Sequence, residues 1–258
     1  MLDTDSLKST HDRICNLLRT HVFLKMGSEW EPWRSPEPYE AALVCERYRN
    51  YWKPSTVKLI LVAESHLYTD VVDLACRIDT SALPIPLPGC PTEFARLVYC
   101  LGYGDNSLFL SDRVPAAGNP GTDDYWAIFS KCADTWTGVT GNLSWKLQTL
   151  KKLQEKGIWL LDASIHACCN PRLRGRPYNL AGRWPVYQSV LQTSWEYVSR
   201  NLGDCEHIWC IGHNVKGALT DSRLVSERTI LQPGAVRFGR GAEYRKGLDA
   251  LVAAARSI

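Results

Sequence analysis

The apolar run Val57-Lys58-Leu59-Ile60-Leu61-Val62 leads directly into Ala63-Glu64-Ser65-His66. Three further apolar runs follow along the chain, at Ile158 to Leu161, His207 to Ile211 and Thr229 to Leu231. Short runs that are apolar at nearly every position are typical of parallel strands buried on both faces of a sheet. The sequence therefore predicts a central, mostly parallel sheet of four strands.

Helical patterns lie between these strands. The segment from Pro185 to Leu202 repeats apolar residues at roughly helical spacing and is followed by Gly203, a residue type that commonly ends helices. A similar pattern runs from Trp145 to Lys156 and stops at Gly157. Strands that alternate with helices imply right-handed crossovers, so we expect an α/β fold, a three-layer α/β/α sandwich.

Polar or small residues follow each predicted strand. They are Glu64-Ser65-His66, then Asp162, then Gly212-His213-Asn214, and finally Gln232. The carboxyl ends of parallel strands meet at one edge of the sheet, which is where ligands bind in open α/β folds. We therefore expect these four segments to form one site.

The chain has 258 residues with 45% hydrophobic content, enough to bury the core of one α/β domain spanning residues 1–258. Residues 1–50 form an N-terminal extension that is predicted to be helical up to about Lys25. The proline- and glycine-rich region from Thr80 to Gly141 is predicted to form loops and short helices that cover the site.

Charge and hydropathy limit the partners and the cellular location that the chain is expected to have. Lys and Arg number 30 against 27 Asp and Glu, a net charge of +3, so any contact with nucleic acid must come from a local basic patch. The first ten residues lack the features of a signal peptide, and no apolar run approaches the ~20 residues that span a bilayer. These features predict a cytoplasmic protein without membrane contact.

The chain contains ten cysteines but no C-x-x-C pair. A cytosolic chain of this size keeps its thiols reduced, so we expect no disulfide framework. The closest group of ligand-type residues is His166, Cys168 and Cys169, and three neighbours on one short segment cannot all face one ion without strain. The sequence thus predicts no metal ion and no other cofactor.

The four strand ends, in their order and spacing from about Val57 to Ala250, resemble the uracil-DNA glycosylase superfamily. The family's first motif is a strand ending in Gly-Gln-Asp-Pro-Tyr or Gly-Glu-Ala-Pro-Gly. In this chain Ala63 replaces the glycine, Ser65 replaces the catalytic aspartate of the best-known branch, and His66 replaces the proline. The paired N-terminal cysteines of the iron-sulfur branch are missing, so the resemblance implies no cluster.

The other strand ends carry the rest of the resemblance. Asp162 stands where the family's second strand ends in the asparagine that reads the base. Gly212 matches the glycine turn before a helix that faces DNA phosphate, which with His213 and Asn214 implies an anion site. Gln232 takes the place of the histidine in the loop that enters the minor groove.

The resemblance implies hydrolysis of an N-glycosidic bond through an oxocarbenium-like sugar, which a nearby carboxylate stabilises. Glu64 is the candidate for that role. The departing base needs hydrogen-bond donors or a proton, which Gln232 and either His66 or His213 can supply. Ser65 completes the catalytic set because it occupies the position of the family's aspartate.

Asp162 bears on the identity of the base. Asparagine offers a donor and an acceptor that match uracil, whereas an ionised aspartate only accepts and suits an exocyclic amine such as that of cytosine. Two alternatives remain: Asp162 caps the next turn, or it is protonated and reads uracil.

Aromatic and basic residues near the predicted site are candidates for contacts with DNA. Those that would stack on a flipped base are Phe94, Tyr99 and Tyr103. Those that would bind phosphates are Arg172, Arg174, Arg176, Arg183, Arg237, Arg240 and Arg245.

The function expected from these features is a DNA glycosylase that flips out and excises a modified or damaged pyrimidine. A modified cytosine, of the kind found in bacteriophage DNA, is the preferred substrate, because excision of normal cytosine would damage the host genome. The alternatives are a uracil-DNA glycosylase of base excision repair and a non-catalytic nucleic-acid-binding protein, which Ser65 would favour. A nucleotide hydrolase is disfavoured, because Gly102-Tyr103-Gly104 and Gly239-Arg240-Gly241 lack the strand-to-helix context of a phosphate loop.

Overall fold

A computed structural model describes residues 2–23, 36–110, 115, 119, 121–170 and 178–258. The end of the predicted N-terminal helix near Lys25 lies outside these residues. So do three of the predicted phosphate contacts, Arg172, Arg174 and Arg176.

The strands of the described chain are β1 (Leu59–Ala63), β2 (Ile158–Asp162), β3 (Cys169–Asn170), β4 (Tyr178–Asn179), β5 (Ile208–Ile211) and β6 (Thr229–Ile230). The α-helices are α1 (Thr4–Leu18), α2 (Tyr39–Tyr51), α3 (Val71–Leu74), α4 (Asp123–Ala133), α5 (Leu143–Lys156), α6 (Trp184–Val198), α7 (His213–Ala218) and α8 (Gly241–Ser257).

The main sheet has the order β2-β1-β5-β6, and all of its strand pairs are parallel. All four predicted strands are therefore confirmed, with β1 starting at Leu59 and β6 reduced to Thr229–Ile230. In the register between β1 and β2, Ala63 lies opposite Asp162. The residues that follow these two strands consequently leave the sheet side by side.

Helices cover both faces of the sheet. Leu59 and Leu61 of β1 pack into one core with α4, α5 and α8, whereas Ile60 and Val62 pack into a second core with α1, α6 and α7. Successive side chains of a strand point to opposite faces, so a continuously apolar strand supplies both cores. The predicted three-layer α/β/α sandwich is confirmed.

One predicted helix end is confirmed, at Lys156, whereas the helix predicted to run to Leu202 ends four residues earlier. Gly157 follows α5 in the left-handed conformation, with φ 84°, which glycine adopts without steric cost. A Cβ at this position would lie 2.8 Å from the carbonyl oxygen of Thr56, so the close approach of the two segments also requires glycine. Farther along, α6 ends at Val198 and a short 3₁₀ turn precedes Gly203.

Two helices differ from the expectation. The N-terminal extension contains α2, which the sequence did not predict because the buried Glu46 and Arg49 interrupt its apolar pattern. The region from Thr80 to Gly141 contains short 3₁₀ turns, as expected, but also α4, a regular helix of 11 residues. Both helices border the site.

Among the described residues, no helix combines the length and the apolar character that a transmembrane span requires. All ten cysteines carry free thiols.

Candidate functional site

A cavity of about 210 Å³ lies at the carboxyl edge of the main sheet, beyond the ends of β1 and β2. Its polar lining includes several of the predicted site residues, namely Glu64, Ser65, His66, Tyr99, Tyr103, Asp162 and Gln232. The predicted convergence of distant segments is therefore present for the first, second and fourth strand ends. The third contributes Ile211 to the lining, while Gly212, His213 and Asn214 line an adjoining groove.

Glu64 follows the last residue of β1 and is held by α6. The Tyr187 hydroxyl donates a hydrogen bond of 2.9 Å to Glu64 Oε2. Burial raises the pKa of Glu64, the hydrogen bond from Tyr187 opposes that rise, and the negative charge of Asp162 adds to it. Glu64 is therefore a carboxyl group whose charge is only partly compensated by a neutral partner.

Asp162 ends β2 and is held by α2. The Arg49 guanidinium, which is completely buried, donates to Asp162 Oδ2 at 2.9 Å and also pairs with Glu46. Its second contact at this strand end is the Ser164 carbonyl oxygen, at 3.1 Å. Within the described chain, Asp162 Oδ1 has no hydrogen-bond partner, so one oxygen is anchored and the other remains an acceptor at the cavity wall.

Tyr99 lies beside this pair in the cavity wall. Its hydroxyl is buried and has no partner of hydrogen-bonding geometry among the described residues, although Arg49 and Asp162 act on it electrostatically. Burial, reinforced by the charge of Asp162, raises the pKa of Tyr99 well above its usual range. Buried polar groups are nearly always hydrogen-bonded, so a protonated, unpaired hydroxyl at a cavity is a feature that a ligand would satisfy.

His66 is not placed as expected for a residue that supplies a proton to the departing base. Its side chain is completely buried, and Nε2 lies 2.9 Å from Oε2 of Glu37, a residue of the N-terminal extension. Glu37 also accepts from the backbone amides of Thr69 and Ala167, each at 2.9 Å. Nε2 is therefore engaged by Glu37, whereas the buried Nδ1 has no hydrogen-bond partner among the described residues.

Glu37 and His66 stabilise each other's charged forms. Burial opposes a charged imidazole, but Cys45 and Glu37 outweigh it and hold the pKa of His66 well above its usual range. Burial likewise opposes a charged Glu37, and the positive charge of His66 and its hydrogen bond lower that pKa. The Ser65 hydroxyl accepts from the Cys168 amide at 3.0 Å, so it too ties the β1 end to the loop after β2.

Gln232 lies between the cavity and the adjoining groove and lines both. Gly212 has φ 116°, so the backbone geometry favours glycine there, and a Cβ would lie 3.1 Å from Gln232 Cγ and press on that side chain. The Gly212 amide donates to the Ile230 carbonyl at 2.8 Å. That amide is thus not available for the predicted anion site, which would rest on the exposed His213 and Asn214.

Two other predicted contacts are also placed differently. Phe94 is buried in the core formed with α4 and α5 and is not part of the cavity lining, so Tyr99 and Tyr103 are the remaining candidates for stacking. Arg240 forms a two-pronged pair with Glu243, at 2.7 and 2.9 Å, which compensates its charge. Arg237 is 78% exposed and lies 3.4 Å from Asp124.

Sequence reasoning missed Arg96, Thr122 and Tyr125 of the cavity lining, and it also missed three residues that hold the predicted ones in place. Arg49, Glu37 and Tyr187 hold the predicted residues from outside the strand ends. Tyr187 was assigned only to the apolar face of a helix. Glu46 and Arg49, three residues apart, look in sequence like an ordinary surface ion pair.

The cavity lining does not contain a cluster with metal-ligand spacing. Among the described residues, such a cluster is formed by His11, Cys15 and His166, none of which lines the cavity.

Comparisons with protein-family models, with curated proteins and with solved structures found no match to this chain. The resemblance to the uracil-DNA glycosylase superfamily therefore rests on the sequence motifs alone.

Proposed function

We propose that this chain is a DNA glycosylase that excises a modified, cytosine-type base. One observation carries the proposal: Glu64, Asp162 and Gln232, which come from three separate strand ends, line the same small cavity. Its volume is about 210 Å³, below the roughly 300–1,000 Å³ of sites for drug-sized ligands, and suits a single base.

In the proposed reaction the bond between the base nitrogen and the sugar C1′ breaks, and its electron pair leaves with the base. The Glu64 carboxylate stabilises the positive charge that develops on the sugar and orients a water molecule toward C1′. The water adds its hydroxyl to C1′, and its proton is released. The Gln232 amide donates a hydrogen bond to the departing base, which takes up a proton to leave as the neutral base.

The amine preference follows from two neighbouring groups at the cavity wall. Arg49 anchors Asp162 Oδ2, so the group that Asp162 offers to a base is an acceptor. The unpaired Tyr99 hydroxyl remains protonated and offers a donor. Cytosine presents an amine beside the N3 acceptor, which complements that pair, whereas uracil presents O4 beside an N3 hydrogen.

Features of the adjoining groove are consistent with DNA binding. Phe238, at the end of the 3₁₀ segment Pro233–Phe238, is 83% exposed and lines the groove together with His213 and Asn214. An exposed apolar side chain beside a DNA groove can act as a wedge that unstacks bases. Arg237, at 78% exposure, is the candidate phosphate contact.

The test is incubation with labelled oligonucleotides that carry uracil, cytosine, 5-methylcytosine, 5-hydroxymethylcytosine or its glucosylated form. Alkali then reveals abasic sites, and mass spectrometry identifies the released base. We expect excision of one or more modified cytosines, and strongly reduced strand breakage with Glu64→Gln. Excision of uracil alone would favour the repair function, and binding without excision from any substrate would favour the non-catalytic alternative.

DNA binding is tested separately by its salt dependence. Arg237→Ala should lower the slope of log K against log salt by about one phosphate contact, and Arg240→Ala should lower it less, because Glu243 already compensates Arg240. Lys152→Ala, on an exposed residue of α5 that pairs with Glu155, is the control. Equal slopes for all three variants would place the DNA on another surface.

A further inference from the structure

A buried cluster of ligand-type side chains joins α1 to the loop after β2. His11 and Cys15 lie one turn apart on the buried face of α1, and His166 belongs to the loop. One ligand atom from each of the three residues lies within 4.8 Å of the others. The two imidazole rings are 5.8 Å apart between centroids.

The hydrogen bonds of the two histidines prepare them as ligands. His11 Nε2 lies 3.0 Å from the Glu37 carbonyl oxygen, and His166 Nδ1 lies 3.0 Å from the Ala167 carbonyl oxygen. A carbonyl oxygen only accepts, so each of these nitrogens carries the hydrogen and the other ring nitrogen carries a lone pair. Metal-binding histidines are commonly oriented by such a bond to a backbone carbonyl.

The distance between the thiol and an imidazole nitrogen fits as well. Cys15 Sγ lies 3.7 Å from His11 Nδ1. Zinc bonds of about 2.3 Å to sulfur and about 2.0–2.1 Å to nitrogen put tetrahedral S and N ligands roughly 3.5 Å apart.

We propose that His11, Cys15 and His166 bind one zinc ion, with a water molecule at the fourth tetrahedral position. A thiolate combined with two imidazoles is a donor set that favours zinc over the hard cations magnesium and calcium. On binding, the Cys15 sulfur exchanges its proton for the metal ion, and the proton passes to solvent.

The ion would have a structural role next to the candidate site. It would tie α1 to the loop whose Ala167 amide bonds to Glu37 and whose Cys168 amide bonds to Ser65. The inference does not depend on the glycosylase proposal, because none of the three ligands lines the cavity. The sequence analysis considered only His166 with Cys168 and Cys169 and predicted no metal, since sequence spacing does not show that α1 packs beside His166.

The experiment measures metal in the full-length protein. Protein purified without added metal or chelator should contain about one zinc ion per chain by atomic emission. Stripping with a strong chelator should lower the Tm, and zinc at roughly 1,000 times Kd should raise it again by about 10 °C. Cobalt added to the stripped protein should give the charge-transfer absorption of a cobalt–thiolate bond.

Single substitutions test which side chains bind the zinc ion. Cys15→Ala should weaken zinc binding by about 100-fold or more and abolish the cobalt–thiolate band. Cys132→Ala, which removes an equally buried thiol from α4, should retain both. Folded wild-type protein that takes up neither zinc nor cobalt would overturn the proposal, and that result needs no variant. Retention of the cobalt band by folded Cys15→Ala would also overturn it.

Discussion

Two carboxylates face the same cavity from neighbouring strands, yet the fold gives them different partners. Glu64 follows β1 and accepts from a neutral hydroxyl, that of Tyr187. Asp162 ends β2 and is paired with the buried guanidinium of Arg49. In the strand register Asp162 lies opposite Ala63, so Glu64 stands one position beyond Asp162 at the same edge of the sheet.

The difference shows that helices outside the sheet give two similar carboxylates, Glu64 and Asp162, different hydrogen-bond partners. A hydroxyl leaves the charge of Glu64 poorly compensated, so that charge is suited to stabilise a positive transition state. A guanidinium fixes one oxygen of Asp162 and leaves the other as a directed acceptor, which suits recognition. We therefore expect substitutions at Glu64 to change mainly turnover and those at Asp162 to change mainly specificity.

The largest expected effect concerns the anchor of Asp162. Arg49→Met leaves Asp162 and Glu46 buried without their cation and should cost about 3–5 kcal/mol in the free energy of unfolding, measured in urea. Arg13→Met removes an arginine from an exposed pair with Glu196 and should cost at most about 1 kcal/mol. Equal costs for the two variants would mean that Arg49 does not hold Asp162.

The next effect separates turnover from binding. Glu64→Gln keeps the size of the side chain but removes its charge, so kcat should fall about 10²–10³-fold while the Kd for DNA changes little. Single-turnover excision and fluorescence anisotropy measure the two quantities. Glu196→Gln on the exposed face of α6 is the control. Activity equal to wild type in Glu64→Gln would exclude Glu64 from the mechanism.

A smaller effect is expected on base preference. In Asp162→Asn the amide oxygen can still accept from Arg49, which turns the amide nitrogen toward the cavity and replaces an acceptor by a donor. Preference should shift from cytosine-type toward uracil-type bases by about 1–3 kcal/mol, roughly one to two orders of magnitude. Matched oligonucleotides measure the ratio of kcat/KM values.

One result for Asp162→Asn would contradict this prediction. An unchanged ratio, in a variant that remains folded, would contradict the amine-reading role and would leave the role of Glu64 intact.

The sequence predicted the sheet and the strand ends because both depend on local pattern. Continuous apolar runs mark buried strands, and the polar residues after them must lie at one edge. It did not predict Arg49, Glu37 or Tyr187 as site residues. Their roles depend on how α2, the N-terminal segment and α6 pack on the sheet, and a buried ion pair has no sequence signature that separates it from a surface pair. The burial of His66 was missed for the same reason.

The smallest expected effect tests the neutral partner of Glu64. In the proposed mechanism Glu64 acts as a carboxylate, so activity should fall as the pH decreases through its pKa, which burial has raised. Tyr187→Phe removes the hydrogen bond that stabilises the charged form, so the pKa rises further and the acidic limb of the pH–rate profile moves to higher pH. The variant should lose only about 1 kcal/mol of stability, because a single hydrogen bond is removed. Tyr197→Phe, on the same helix but bonded to Glu46, should leave the limb in place. A limb that stays fixed in Tyr187→Phe would mean that Glu64 does not set the acidic limit, and the contrast between the hydroxyl-bonded and the guanidinium-bonded carboxylate would then have no part in catalysis.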